Sequence, residues 1–383
     1  MKKVRKSSKK SLPFWLRIVL LINGLAAILL LTSYAVPRVS PADFWPMAFL
    51  GLVYPFLLAT NVLFVVFWLF ARKKWALLSV SVIFLGLGHL LNLFQISNTS
   101  RELPETGKNI HLLTYNVRNF GLYNYHPGHG LNFSYRNDIF RYLQEKNSDI
   151  ICFQEFVLDR KGEFRTLDTL PGLLRARHYH FEYTRSSRFQ NYFGLATFSA
   201  YPIVNKGKIP FRTNAGNLCI YTDIDVGIDT IRVYNVHFES IGLSEEDHMF
   251  VESMTNTIAT DQPENITKYS RQIYNRLRRA FIYRAAQVSK IAEHIATSPH
   301  PVILAGDFND TPMSYVYHQV ARHLNDAFHS GMGMGRTYII AVPGFRIDYI
   351  FYSDEFTPFN FKTEARPYSD HFPVSVTLHL PQE

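Results

Sequence analysis

Residues 304–312 read LAGDFNDTP, and the apolar run PVIL just before the glycine has the character of a buried strand. The strand ends by presenting Asp307, Asn309 and Asp310 in quick succession. Gly, Asn and Asp are ordinary turn formers, so this tip alone decides nothing. The same residues also suit a hard cation and a phosphate, because Mg2+ takes oxygen ligands and keeps several of its waters. The pattern recurs along the chain. TYNVRNF sets Asn116 at the end of an apolar run, IICFQEF sets Glu155, and RVYNVHFES sets Asn235 and His237. GFRIDYIF embeds Asp348 between Ile347 and Tyr349, and PYSDHFPV puts Asp370 and His371 just before the last strand. One such end is a turn; six, all bearing carboxylate, amide or imidazole, are hard to credit to turns alone. Positions two apart on a strand share a face, which pairs Asp307 with Asn309 and Asn235 with His237. A carboxylate inside apolar RIDYIF is costly unless it is paired. Strand ends held by a rigid scaffold are where catalytic groups are placed.

The elements that must position these groups are strands: IHLLTYNV, DIICFQ, YHFEYT, GLATFSA, LCIYTDIDV, TIRVYNVHF, PVILAGDF, RIDYIFYS and VSVTLHL. Helices are expected over about 134–146 and 269–296; in the second, Ile273, Leu277, Ala280, Phe281, Ala285, Val288, Ile291, Ala292 and Ile295 recur at three-to-four spacing. Many strands with few intervening helices imply an α/β fold of two packed sheets with helices outside. No internal repeats stand out.

Ahead of these elements lie three uncharged apolar stretches, Ile18–Val36, Phe44–Phe70 and Trp75–Ile96. Each reaches the roughly 20 residues that cross a bilayer core. They predict three transmembrane helices over about 15–36, 44–70 and 75–96, the second kinked by Pro46 and Pro55. Trp15, Trp45, Trp68 and Trp75 fall near the expected ends, as interfacial anchors do. An uncleaved first span is expected because more spans follow it. Basic residues crowd the leader and the Arg72-Lys73-Lys74 loop, whereas the loop between spans one and two holds only Arg38. The positive-inside rule then puts those basic segments in the cytoplasm and residue 97 onward on the far side, the periplasm if the cell is Gram-negative. Residues 1–96 are thus expected to be a multi-pass anchor in the inner (cytoplasmic) membrane, 97–109 a polar linker and 110–383 the catalytic domain. His89 within span three is a helix-contact histidine on this reading.

The formal net charge of +9 is misleading as a sign of nucleic-acid binding. Residues 1–96 carry 11 Lys+Arg against one acid, and residues 97–383 carry 29 against 30. The larger part lacks a bulk bias toward polyanions. Cys152 and Cys219 sit in apolar strand-like runs and read as small core hydrophobes, with no CxxC or zinc spacing. His126, His129, His178 and His180 also lack zinc spacing and are expected to face solvent. RLRRAFIYR (276–284) reads as a charged helix face, Asp310 as a turn residue, Arg118 as a solvated loop residue or a phosphate contact, and Tyr234 as a core aromatic.

Taken in order, TYNVRNF, FQEF, NVH, GDFND, RIDYI and SDH resemble the motifs of the endonuclease/exonuclease/phosphatase superfamily, which includes pancreatic deoxyribonuclease, exonuclease III-type repair enzymes, inositol polyphosphate 5-phosphatases and neutral sphingomyelinases. The similarity covers about residues 108–381. It implies a four-layer α/β sandwich of two mixed sheets flanked by helices, and hydrolysis of a phosphate ester by water with Mg2+, or Mn2+ in its place. By the same resemblance Glu155 binds the metal with Asn116 and Asp370 close to it. Asp307 activates the water, Asn309 orients Asp307 or contacts phosphate, His237 and His371 flank the scissile phosphate, and Asp348 orients His371. Either Asp307 or the His371–Asp348 pair serves as base, and the resemblance leaves open one metal or two. NVRNF and QEF depart from the NVDG, NINS and QETK texts of the repair nucleases, which turns the expectation away from abasic-site DNA. A membrane anchor turns it toward a phosphoester at the bilayer, such as a phospholipid, sphingolipid or prenyl-linked phosphate. A tethered nuclease acting on DNA or RNA and a catalytically inactive binding module are the alternatives. The polar stretch 241–268 after NVH is the expected specificity element.

Overall fold

The structure is a computed structural model that describes residues 12–96, 102–122, 125–126, 130–131, 133–159, 165–186, 191–211, 216–242, 263–339 and 344–382. The basic leader, the first five residues of the expected linker, His129 and most of the 241–268 stretch lie outside the described residues.

The N-terminal part contains α1 (Phe14–Ser33), α2 (Pro41–Phe44), α3 (Pro46–Leu52), α4 (Tyr54–Ala71), α5 (Ala76–Leu85) and α6 (Leu87–Leu93). Among the described residues two helices, not the expected three, are by themselves long and apolar enough to cross a membrane: α1 with the turn that follows it, and α4. The expected 44–70 span is not one helix. Pro46 and Pro55 each stand in the first turn of a new helix, where the missing N–H costs nothing, so the chain breaks before them. The expected third span is a bent pair, α5 and α6, meeting at 67° beside Gly86. The Tyr34 ring fills the space a Cβ would take at Gly86, and its hydroxyl donates to the Val82 carbonyl at 3.0 Å. Trp68 is not an interfacial anchor either: it is fully buried and its Nε1 donates to Asn23 Oδ1 at 2.9 Å. Asn23, Ser79 and Asn61 continue that chain of hydrogen bonds and tie α1, α4 and α5 together, as polar residues do between apolar helices.

The remainder is the expected α/β sandwich. Its first strands are β1 (Lys108–Asn116), the short hairpin β2 (Tyr125–His126) and β3 (Gly130–Leu131), then α7 (Ser134–Lys146), β4 (Ile150–Asp159), α8 (Thr166–Leu173), β5 (His178–Ser186), β6 (Asn191–Ser199) and β7 (Ile203–Ile209). There follow β8 (Leu218–Asp225), β9 (Thr230–His237), α9 (Pro263–Ala296), β10 (Val302–Asp307), α10 (Tyr315–Val320), β11 (Asn325–Asp326), β12 (Asp348–Tyr352), β13 (Thr357–Thr363) and β14 (Val374–Leu380). One sheet has the order β13-β14-β1-β4-β6-β5, the other β11-β12-β10-β9-β8-β7. Each is mixed, with one parallel pair at its centre, β1 with β4 and β9 with β10.

Alternation along the strands builds the layers. Ile110 and Leu112 of β1 face the other sheet and pack with Ile231, Val233, Ile303 and Ile350. Leu113 and Tyr115 face outward onto Ile139 and Leu143 of α7 and Leu170 of α8. On the second sheet Val302 and Leu304 face outward onto Val288, Ile291 and Ile295 of α9. Strands covered on both faces read as continuous apolar runs, which is why they were legible. The cysteines are free and buried, Cys152 between the sheets and Cys219 under α9. Tyr234 points under α9, with its hydroxyl 2.7 Å from His294 Nδ1. His180 is not solvent-facing: it is buried, with Nδ1 3.0 Å from Thr222 Oγ1, whereas His178 is exposed.

The helical part is seated on the sandwich. Trp45 and Phe49 pack on Tyr274 of α9, Phe49 also meets Phe281, and Met313 joins a cluster with Tyr54 and Leu58. Arg346 Nη2 donates to the Asn92 carbonyl at 2.8 Å, and Gln95 pairs with Gly333. His89 lies between Tyr34 and His318, the helix contact expected of it.

Candidate active site

The two parallel strand pairs end at one rim, and their last residues meet there. In the second sheet Asp307 at the tip of β10 is registered against His237 of β9 on one side and Asp348 of β12 on the other. Gly306 makes this tip possible. Its φ is +145°, and a Cβ would lie 2.0 Å from the Val236 carbonyl oxygen, so no other residue lets β10 run this close to β9. In the first sheet Asn116 of β1 is registered against Gln154 of β4. The next residue, Glu155, has φ +49° at a bulge between Phe153 and Phe156. Left-handed backbone at a non-glycine costs on the order of 1–3 kcal/mol. Here the bulge re-aims the carboxylate from the sheet toward the cleft.

Asp307 is the hub. Its Oδ1 accepts from the Asn309 backbone N–H at 2.7 Å, and its Oδ2 accepts from Asn116 Nδ2 at 3.0 Å and Asn309 Nδ2 at 3.2 Å. His237 Nε2 and His371 Nε2 approach the same Oδ2 at 3.6 and 3.8 Å. Asn116 Nδ2 also reaches Glu155 Oε1 at 3.3 Å and so spans the two sheets. Behind His371, Asp348 Oδ2 takes its Nδ1 at 2.8 Å, and Thr337 Oγ1 accepts from the Asp348 N–H at 3.1 Å. The carboxylate in the apolar strand is therefore paired with an imidazole. Burial opposes charge on His371, but Asp348 and Asp307 outweigh it and raise its pKa to about 10. Burial, then the nearby Asp348 carboxylate, push Asp307 above the ordinary carboxylate range. Among the described residues, His237 Nε2 and Asp348 Oδ1 are buried without a hydrogen-bond partner, spare capacity beside Asp307 and His371.

Asp370 closes the rim from the loop before β14. Its Oδ1 accepts from Ser369 Oγ at 3.1 Å, the same hydroxyl that donates to the Asn116 carbonyl, and Arg118 Nε lies 3.6 Å from its Oδ2. All eight of the site residues expected from sequence, Asn116, Glu155, His237, Asp307, Asn309, Asp348, Asp370 and His371, thus belong to one connected constellation, of which Glu155, Asp307, Asn309, Asp370 and His371 line a cleft of about 480 Å3. Asn235 does not. It is fully buried between the sheets, where its amide donates to the Phe153 and Ala196 carbonyls and its Oδ1 accepts from Gln154.

Oxygen donors fit a hard divalent cation. Glu155 and Asp370 are carboxylates that line the cleft, Glu155 holds only long contacts, from Asn116 at 3.3 Å and His237 at 4.0 Å, and the site gathers four carboxylates. Asp307, Asp348 and His371 also have ligand-type atoms within 4.8 Å of one another. In that group the short Asp348–His371 contact already uses His371 Nδ1, so it reads better as a hydrogen-bonded dyad than as a metal cage.

Two features escaped the sequence reading. Arg284 is not on a charged helix face but buried at 1% exposure; its Nη1 donates to the Asn309 carbonyl at 2.5 Å and the Glu239 carbonyl at 3.1 Å. Its Nε lies 3.1 Å from Asp310 Oδ2, close enough for an ion pair though not aligned as a hydrogen bond. Asp310 is therefore a buried ion-pair partner rather than a plain turn residue. The signal was present: Arg284 falls inside the apolar stripe of α9, between Phe281 and Val288. Tyr338, whose ring meets the edge of His371 at 5.2 Å, lies in a segment without periodicity and gave no signal.

A comparison with curated proteins gives no match. Among solved structures, an endonuclease/exonuclease/phosphatase from Beutenbergia cavernae DSM 12333 superposes with TM-score 0.51 at 17% identity, over 71% of this chain and 72% of that one. The human Nocturnin catalytic domain with a bound sulfate anion gives TM-score 0.48 at 18% identity, covering 71% and 94% of the two chains. TDP2 from C. elegans gives 0.47 at 17%, covering 72% and 77%. A domain of unknown function, DUF8431, matches residues 16–93. The sequence model of the endonuclease/exonuclease/phosphatase family matches residues 113–371, a range that holds every residue of the constellation, and the chain belongs to that family of phosphoester hydrolases.

Proposed function

We propose that this hydrolase is a membrane-anchored, divalent-metal-dependent phosphodiesterase, with Mg2+ as its metal. Residues 1–96 are its anchor, through α1, α4 and the bent α5–α6 pair, and residues 110–383 its extracytoplasmic catalytic domain. The observation that carries the reading is the single Asp307 oxygen held among two amides and two imidazoles. Family enzymes typically use a divalent metal, and Glu155, Asp370 and Asn116 are the residues that would hold it here. When bound, the cation neutralises charge on a phosphate oxygen.

Asp307 is the base. Three N–H donors keep Oδ1 and Oδ2 oriented, and the two imidazoles leave that carboxylate facing the cleft. His371 cannot take a proton while Asp348 and Asp307 hold it charged; it donates from Nε2 toward charge that develops on the phosphoryl group. His237, whose buried Nε2 has no partner among the described residues, contacts the other side of that group. Asn309 fixes Asp307 through both its N–H and its side-chain amide.

The test is turnover of a soluble nitrophenyl phosphodiester, with DNA, RNA and phosphomonoesters alongside, in Mg2+, Mn2+ or chelator. Wild type hydrolyses the diester only with metal. Asp307→Asn loses about 100-fold or more, the scale of a positioned base. Glu155→Gln keeps turnover only at raised metal concentration. Full activity in chelator refutes the metal; no turnover of any phosphoester by wild type refutes the enzyme in favour of a binding module.

A further inference from the structure

We propose that the apolar arm of the active-site cleft holds the hydrocarbon tail of a lipid phosphoester. This names the substrate class of the phosphodiesterase reading and rests on that reading. The cleft that holds Asp307, Glu155 and His371 is lined, beside polar residues such as Ser240 and Thr311, by a large apolar set: Leu52, Ile273, Leu277, Phe281, Phe345 and Ile347. Ile273, Leu277 and Phe281 lie on successive turns of α9 and form one stripe, and Leu52 is the last residue of α3.

The position of Leu52 identifies the occupant. The next residues, Val53 and Phe56, are exposed, and they begin the row of exposed apolar residues that continues along α4 as Val62, Leu63, Val66 and Leu69. A membrane-crossing helix presents such a row to lipid. The cleft therefore runs from the phosphate end to the surface that faces acyl chains, at the end of α4 where the catalytic domain sits. A nucleic acid would need cations along its path. Among the described residues the lining cations are Arg118, Arg284 and the charged His371; Arg118 faces Asp370, Arg284 is engaged by Asp310 and two carbonyls, and His371 is held by Asp348.

The experiment uses the full-length chain in phospholipid nanodiscs with Mg2+ and nitrophenyl phosphodiesters carrying ethyl, butyl, octyl or dodecyl tails. A farnesyl ester is a further arm, and the better of farnesyl and dodecyl names a prenyl or an acyl lipid. Release of nitrophenol from the ethyl ester tests the phosphodiesterase reading by itself. The tail is tested by the slope with chain length: kcat/KM rises about fourfold per methylene over the first few that enter the cleft. Partition into the bilayer also favours long tails, so the slope is compared in Leu277→Asp and, on a separate element, Leu52→Asp. Both variants flatten it, because partition is unchanged while the cleft wall is not. A slope of zero in wild type, or the same slope in a folded variant, overturns the proposal while leaving ethyl-ester hydrolysis intact. A dinucleotide diester turned over faster than the dodecyl ester overturns it as well.

Discussion

Arg284 offers the sharpest test of how the GDFND tip is held. Its guanidinium is buried, donates to the carbonyls of Asn309 and Glu239, and faces the Asp310 carboxylate. Arg284→Met keeps the apolar stem but removes the charge and both donors. Removing one partner of a buried ion pair costs about 3–5 kcal/mol, because the other charge is left uncompensated. For a domain of this size that corresponds to a fall in Tm of roughly 10 °C. The double variant Arg284→Met/Asp310→Asn removes the stranded charge and leaves two carbonyls short of a donor, about 1 kcal/mol each. It should therefore be more stable than the single variant. Burial already raises the Asp310 pKa, with Arg284 acting against it. Without the arginine the carboxyl rises further. An acid whose folded pKa exceeds its unfolded value destabilises above that folded pKa and not below the unfolded one, so the Arg284→Met deficit shrinks as pH falls toward about 4. Thermal unfolding of the full-length chain across pH measures all three quantities. A loss under about 1 kcal/mol, or a double variant no better than the single, would show that the pair does not hold the tip.

Asp348→Asn removes the negative charge that favours a protonated His371 and replaces the carboxylate acceptor with a neutral amide, while burial remains. Imidazole nitrogen chemical shifts should show His371 neutral near pH 8, and kcat should fall about 100-fold with little change in KM; an imidazolium that persists refutes the assignment. His180 gives a stability signature away from the site. Burial, helped by Lys206, lowers its pKa to about 4. A histidine with a depressed folded pKa leaves stability flat above about 6.5 and lowers it as pH falls toward 4, by up to roughly 3 kcal/mol. His180→Gln should remove that acid limb in denaturant titrations; an unchanged limb assigns it to other groups.

The legible parts of the molecule are those with a strong local pattern. All nine expected strands form, most of them covered on both faces and so legible as apolar runs, and Ile273–Ile295 read as one helix stripe. Five strands escaped: the two-residue β2, β3 and β11, too short to carry a pattern, and the edge strands β7 and β13, where Asn205, Lys206 and Lys208 or Asn360 and Lys362 dilute it. The site was legible because its residues end core strands, where a carboxylate or amide has no packing reason to be. Arg284 and Tyr338 were not, because each acts through a partner distant in sequence. The membrane third failed on a different count. Hydropathy sums apolar residues without asking where the helix can continue, and Pro46, Pro55 and Gly86 decide that. A 27-residue apolar run became two helices, and the short one, α3, turned toward the catalytic domain.

That break has a structural consequence for the site. The candidate site residues come from both sheets, Glu155 and Asn116 from one, Asp307, His237 and Asp348 from the other, and the Asn116 amide hydrogen-bonds members of both sets. The constellation exists only when the sheets are packed face to face. The wall that completes the cleft comes from neither sheet but from α9 and the end of α3. Had Phe44–Phe70 run on as a single span, Leu52 would lie within the bilayer and the cleft would lack that side. The prolines that spoil the three-span prediction are thus what deliver an apolar residue of the N-terminal helices to the cleft. On the proposed reading, the chemistry is set by the sandwich, and the breadth of substrates is set where the N-terminal helices meet it.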